Sequence, residues 1–231
     1  MQPVRDGHLC ERNGPADALK PADFIRQNLR LDPVPSLPDI VLYTAHPGSR
    51  LSRLSAPDGD APYWAYQWAG GLALAHHFAV HPDLAGGKRL LDLGAGSGLV
   101  GIAAAKAGAI VSAAEIDPNG RAAIALNAAA NGVVIEVIDV DIASAAPEGF
   151  DLIAAGDVFY NPEVGQRMLP FLQRCMDAGM DVLIGDPERR DLPVDQLERV
   201  ASYAVGDVGD ARASAERVGS VYRLKGPPNS E

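Results

Sequence analysis

Cysteine is scarce in this chain of 231 residues. The two present, Cys10 and Cys175, form no CxxC pair and have no cluster of histidines beside them. That pattern carries no metal site and no dithiol redox motif, and the two read as free thiols of a reducing compartment. Long apolar runs are missing as well. The stretch from Leu72 to Val80 is broken by His76 and His77, short of the roughly 18 apolar residues that a membrane helix needs. Met1 to Lys20 is polar and of mixed charge, without the apolar segment of a signal peptide or the acid-poor character of a transit peptide. Positive charge is in deficit: 20 Lys and Arg against 30 Asp and Glu give −10. Broad binding to a nucleic-acid backbone needs a basic face, so that class is disfavoured, whereas a basic protein segment would suit an acidic surface. What is present is ordinary globular material, 47% hydrophobic and 22% charged. A chain of this length buries enough surface to fold without staples.

The order of elements follows from periodicity and punctuation. Residues 1–62 read as an N-terminal extension, 63–225 as the core domain and 226–231 as a polar tail. In the extension, Pro21 to Leu29 predicts a short helix and Asp39 to Thr44 a strand, with extended chain forced by Pro33, Pro35 and Pro38 between them. A helix is expected from Tyr63, with Trp64, Trp68, Leu72, Ala75 and Ala79 on one face. Gly70-Gly71 inside it costs about 1 kcal/mol each relative to alanine, which makes sense only where something approaches the backbone closely. Strands are then expected at 88–93, 109–116, 133–139, 150–155 and 181–185, with helices at 100–107, 118–131 and 162–178. Asp117 as cap, Pro118 at the first position and Gly132 past the end punctuate the second of these helices. A further helix is expected around 193–200, then strands at 201–205 and 220–224 forming an antiparallel edge hairpin. Alternating strands and helices predict an α/β fold: a mostly parallel sheet with helices on both faces. His76, His77 and His81 are expected to pack or face solvent.

The run Leu90-Leu-Asp-Leu-Gly-Ala-Gly-Ser-Gly-Leu99 places glycines between a strand and a helix, where a ligand can touch main chain. The spacing departs from the G-x-G-x-x-G of dinucleotide sites, and no Lys-Ser or Lys-Thr follows to make a phosphate loop. Asp-x-Gly-x-Gly-x-Gly resembles the loop of class I S-adenosylmethionine methyltransferases, with their seven-stranded sheet. Glu115, at the end of the next strand, is placed to accept hydrogen bonds from two ribose hydroxyls. Asp141, past the third strand, is a candidate for the adenine amino group, although a solvated loop acid is an equal reading and Asp139 competes for the role.

The fourth strand ends Gly156-Asp157-Val-Phe-Tyr160-Asn161. Methyltransferases that act on planar amino groups carry Asn/Asp-Pro-Pro-Tyr here, and the double proline is absent. Asp-x-x-Tyr suits a lysine ammonium instead: a carboxylate attracts it and an aromatic face holds a methylated cation. Asp157 is the candidate group that orients the lysine and Tyr160 the candidate channel wall; the competing readings are a cap for Asp157 and core packing for Tyr160. Trp68 is expected to line the cofactor pocket and Trp64 to stand near the substrate entrance.

Together PYWAYQWAGGLALA, LDLGAGSGLVGIAAAKAGA, LNAAANGV, GDVFYN and VLIGDP resemble the electron-transfer flavoprotein β-subunit lysine methyltransferases, over roughly residues 33–190. The resemblance implies S-adenosylmethionine as methyl donor and lysines of the flavoprotein β subunit as acceptors. It implies cofactor contacts from Trp68, Gly94, Ala95, Gly96, Glu115 and Gly156, and substrate contacts from Asp157 and Tyr160. Methylation of a ribosomal or other protein, or of a small amine, stays open on the same motifs. An oxidoreductase lacks the glycine spacing and a Tyr-x-x-x-Lys pair, and a non-catalytic module would have no need of Asp157. The Ala- and Gly-rich helices lead to the expectation of a bacterial, cytoplasmic protein.

Overall fold

The computed structural model describes residues 20–51, 62–205 and 217–226. The expectations for Cys10, for the lead, for the loop at 56–61 and for the end of the tail lie outside these residues.

The chain runs α1 (Pro21–Asn28), β1 (Arg30–Val34), β2 (Leu37–Thr44), α2 (Ala69–Val80), β3 (Arg89–Leu93), α3 (Leu99–Lys106), β4 (Ile110–Ala114), α4 (Pro118–Ala130), β5 (Ile135–Ile138), β6 (Leu152–Gly156), α5 (Pro162–Asp177), β7 (Asp181–Asp186), β8 (Leu197–Val205) and β9 (Arg217–Leu224). Seven strands form one sheet in the order β5-β4-β3-β6-β7-β9-β8. The first five are parallel; β9 runs antiparallel to both β7 and β8, so the expected edge hairpin is there. Strand order reverses between β3 and β6, which opens a crevice at their carboxyl ends.

Alternation along the strands builds two cores. Leu90, Leu152, Ala154, Leu183 and Val221 face α2 and α3. Leu91, Ile153, Ala155, Val182, Ile184 and Tyr222 face α5. The period of two sends consecutive residues to opposite faces, so the central strand β6, covered on both, is apolar throughout.

Residues 20–51 are tied to the core. Asn127 on α4 and Asn131, its C-cap, bind the backbone of β2: Tyr43 N–H donates to Asn127 Oδ1 at 2.8 Å and Val41 N–H to Asn131 Oδ1 at 3.0 Å. The Asn127 amide donates onward to the Ser97 carbonyl, 2.8 Å away in the glycine loop. β1 pairs with β2 although Pro33 lies within it, a strand not foreseen from the prolines.

Two predicted helices are corrected. The chain from Tyr63 makes a 3-10 turn, Tyr63–Ala65, then extends, and α2 starts only at Ala69. Trp64 and Trp68 therefore share no helix face. The start is fixed from a distance, because the Asp157 carboxylate accepts the Gly71 N–H at 2.8 Å and so caps α2. Around Pro193 a 3-10 turn, Val194–Gln196, leads directly into β8. Pairing with β9 from Leu197↔Leu224 onward overrides the helical reading.

His77 is buried and shares a 2.8 Å hydrogen bond with the Tyr203 hydroxyl. Burial, then the neighbouring His81 and Arg223, push its pKa down to about 4, so it packs as a neutral ring.

Asp92 on β3 is buried and accepts the Gly101 N–H at 2.8 Å, which ties the strand to α3. Burial raises its pKa from 3.8 to about 7. A raised folded pKa means that the native state binds the proton more tightly than the unfolded chain. The stability contributed by this group is thus fullest below 3.8 and is lost as pH rises toward 7. Asp92→Asn keeps an acceptor for Gly101. It is expected to raise the melting temperature relative to wild type, with a gain larger at pH 8 than at pH 5. An equal gain at both pH values in thermal unfolding would refute the assignment to a buried charge.

Candidate active site

The glycine loop leaves β3 with Gly94, Gly96 and Gly98 at φ of 71°, 53° and 81°. These left-handed values favour glycine and hold the loop's backbone close to the sheet. Gly94 and Ala95 N–H both donate to the Ala114 carbonyl of β4, at 3.0 and 3.1 Å. Ala95 is buried, and a side chain at Gly96 would meet nothing nearer than the Trp64 backbone at 3.9 Å.

Glu115 closes this cradle and is only 4% exposed. One oxygen accepts Gly96 N–H at 2.8 Å; the other accepts Asp117 N–H at 2.8 Å and the Tyr63 hydroxyl at 2.6 Å. Gly120 is glycine because a Cβ there would lie 2.8 Å from Glu115 Cγ. Burial first, then the bond to Glu115, pushes the Tyr63 pKa up, so the phenol stays a donor. The Tyr63 carbonyl in turn accepts Trp68 Nε1–H at 3.0 Å. Trp68, the residue before α2, is thereby fixed beside the loop and half-exposed. Trp64 is different: it is buried with Phe24, Ile25 and Leu126, so its expected place at the substrate entrance is corrected to core.

The fourth strand, β6, delivers Gly156 and Asp157 to the same crevice. A Cβ on Gly156 would lie 3.0 Å from Gly71 Cα, so strand and helix meet backbone to backbone. Asp157 holds φ 56°, unusual for a residue with a side chain. Its backbone N–H donates to Gly185 O at 2.8 Å, one carboxylate oxygen accepts Gly71 N–H and the other takes Arg189 Nη2 at 2.5 Å. Burial raises its pKa, while Arg189 and the helix N–H groups pull it back. Tyr160 lies in the loop before α5 and is 62% exposed, so it is surface and not core. Asn161 caps α5 by accepting Val164 N–H at 2.8 Å.

Trp68, Gly94, Ala95, Gly96, Glu115, Gly156 and Asp157 thus share one crevice. Asp141 stands apart from that network: it is exposed, and its carboxylate accepts Ala143 N–H at 2.9 Å within its own turn. Asp139 is paired with Arg121.

The chemistry of the cradle suits a cofactor with hydroxyls and no phosphate. A carboxylate offers about four acceptor positions, and three on Glu115 are taken, one of them by a movable phenol. Within 89–98 the one cation is Arg89, which pairs with Asp151 at the opposite end of the strand. Buried Glu115, whose carboxylate pairs with no cation among the described residues, favours a ligand that brings hydroxyls or positive charge over one that brings a phosphate.

Comparison with known proteins settles the family. Residues 65–202 match the family described as lysine methyltransferase. This chain belongs to that family. Similar curated proteins are named electron transfer flavoprotein beta subunit lysine methyltransferase. The one from Rattus norvegicus is 36% identical over 74% of this chain and 69% of its own length. The one from Xenopus laevis is 34% identical over 90% and 84%. These relatives are vertebrate and lend nothing to the expectation of a bacterial source. In fold the methyltransferase resembles a Pyrococcus horikoshii protein described as an RNA methyltransferase, with TM-score 0.55 and 14% identity over 74% of this chain and 91% of that one. It also resembles MtNAS solved with S-adenosylmethionine, with TM-score 0.51 and 19% identity over 68% and 62%. The methyl donor of this lysine methyltransferase is S-adenosylmethionine.

Two residues of the crevice went unread in the sequence: Tyr63 and Arg189. Arg189 had a signal. A buried acid needs a counter-ion, and the GDPERR run places two arginines just past the carboxyl end of β7.

Glu115→Ala is expected to weaken S-adenosylmethionine binding at least about tenfold, because it removes acceptor positions and leaves Gly96 N–H and Tyr63 unpaired. Calorimetric titration reads this directly; unchanged affinity would remove Glu115 from the cofactor site.

Proposed function

We propose that this methyltransferase transfers methyl groups to lysine side chains of an electron-transfer flavoprotein β subunit. The observation that carries the reading is similarity at 36% identity to a protein of that name, extending through the stretch that holds Trp68, Glu115 and Asp157. Net charge of −10 suits a lysine-bearing segment as partner.

S-adenosylmethionine supplies a methyl group already activated on a positive sulfur. The residues of this chain have the remaining work of position and proton. A free lysine carries its proton up to a pKa of about 10.4, so the amine must shed it before it can attack. Desolvation against Trp68 lowers that pKa. Asp157 receives an amine hydrogen and fixes the direction of the lone pair, and the surplus proton leaves to water. Alignment is the main source of rate here, since the leaving group needs no help.

The test is transfer of labelled methyl from S-adenosylmethionine to purified flavoprotein β subunit, with the label mapped to its residue. Label on lysine supports the reading. No label on that subunit, with the donor still bound by calorimetry, would withdraw it as the substrate.

A further inference from the structure

The Asp157 carboxylate does not stand open to an incoming lysine. Arg189 Nη2 holds one of its oxygens at 2.5 Å, and the two side chains are 22% and 10% exposed. The guanidinium carbon lies 5.8 Å from the centre of the Trp68 ring. An internal cation therefore fills the space between a carboxylate and an aromatic face, the two groups suited to recognise an ammonium.

Behind it is a second carboxylate. Asp186, fully buried at the end of β7, accepts the Arg189 backbone N–H through Oδ1 at 2.6 Å. Its Oδ2 is 3.9 Å from Arg189 Nε, and each of those two atoms is buried without a hydrogen-bond partner among the described residues. The guanidinium thus has one contact made and another ready 3.9 Å away. Asp157 and Glu188, on either side of it, both hold left-handed backbone, at φ 56° and 64°. Strain of this kind collects where a segment has two working positions.

We propose that Arg189 is a displaceable stand-in for the substrate: it fills the acceptor slot between Asp157 and Trp68, and moves to Asp186 when the substrate lysine enters. The proposal deepens the reading above and rests on the acceptor being lysine. Its consequence is specificity. A free amine must displace the guanidinium with its own charge alone. A lysine on a docked protein brings the binding energy of the surrounding surface to the exchange.

Arg189→Lys tests this in the whole 231-residue chain, because it sets an amine where the guanidinium stands. With S-adenosylmethionine added, that amine is expected to become methylated: an N–C bond forms as the methyl–sulfur bond breaks, sulfur keeps the electron pair, and a proton leaves to water. Peptide mass spectrometry reads the methyl at position 189. In parallel, Arg189→Met is expected to bind a short lysine peptide, in the presence of S-adenosylhomocysteine, roughly tenfold more tightly than wild type, as for a slot occupied about nine-tenths of the time. No methyl at position 189 in a variant that binds the donor normally, with wild type active on protein lysine, overturns the stand-in and leaves the lysine reading intact. No methyl there and none on any lysine with wild type overturns both. Methyl at position 189 with wild type inactive on the flavoprotein upholds the stand-in and removes only that substrate. Should Arg189→Lys lose donor binding, Arg189→Met decides: tighter peptide binding upholds the proposal, and equal or weaker binding overturns it.

Discussion

Asp157→Ala is expected to lose methyl transfer by at least about a hundredfold and to melt roughly 10 °C below wild type, whereas Asp157→Asn loses the transfer and melts between Asp157→Ala and wild type. The carboxylate has two duties that the variants separate. It caps α2 through Gly71 N–H and it balances Arg189. Alanine removes both, leaving an uncompensated, largely buried guanidinium, which typically costs about 3–5 kcal/mol. It also puts a residue with no side-chain hydrogen bond at φ 56°. Asparagine tolerates left-handed backbone and keeps an oxygen for Gly71, but it has no charge to balance Arg189 or to direct a lysine. The measurements are melting temperature and labelled-methyl transfer on the same preparations. If Asp157→Asn transferred methyl at the wild-type rate, the carboxylate would be a structural cap alone and the acceptor site would have to be sought elsewhere in the crevice.

What was legible in the sequence is what neighbours in the chain decide. The glycine loop could be read because strand, turn and helix follow one another within ten residues, and each glycine at 94, 96 and 98 takes a conformation that sequence alone can suggest. Glu115 could be read because it directly follows the next strand, β4. What could not be read depends on partners brought from afar. Tyr63 meets Glu115 across 52 positions and Arg189 meets Asp157 across 32. The error over Trp64 has the same origin. A spacing of four between Trp64 and Trp68 fits one helical face, but α2 begins after both because its cap comes from residue 157. The first part of β8, 197–200, reads as helix and its remainder, 201–205, as strand, because an edge strand owes its state to pairing with β9 and not to its local sequence. Asp157 caps a helix, one of the two readings weighed for it, and stands directly after β6 at the carboxyl end of the sheet.

Gly70→Ala and Gly71→Ala, one residue apart on the same helix, are expected to have opposite effects on stability. A Cβ on Gly70 would fall far inside contact distance of the Gly185 carbonyl oxygen and 2.7 Å from an Asp157 carboxylate oxygen. The first of these is backbone in β7 and cannot swing aside. A Cβ on Gly185 would strike back at the Gly70 carbonyl and lie 2.8 Å from Leu74 Cγ. Helix and strand therefore touch main chain to main chain at Gly70 and Gly185, the reason for a glycine at position 70 in a helix start where it otherwise costs stability. Overpacking usually costs about 1–3 kcal/mol, and a clash between two backbones belongs at or above the top of that range. For a chain of this size that is a fall in melting temperature of roughly 10 °C. It would also push Trp68 and the cap at Asp157 away from the cofactor loop, so donor affinity should fall with it. A Cβ on Gly71 would meet only Val100 Cγ2 at 3.8 Å and an Asp157 oxygen at 4.0 Å, both ordinary contacts. There alanine brings its helix preference, a gain of about 0.5–1 kcal/mol, and leaves the N–H that Asp157 accepts. Thermal unfolding of the two variants with donor titration decides between this account and one in which the pair serves only flexibility, since flexibility would make both substitutions stabilise the fold.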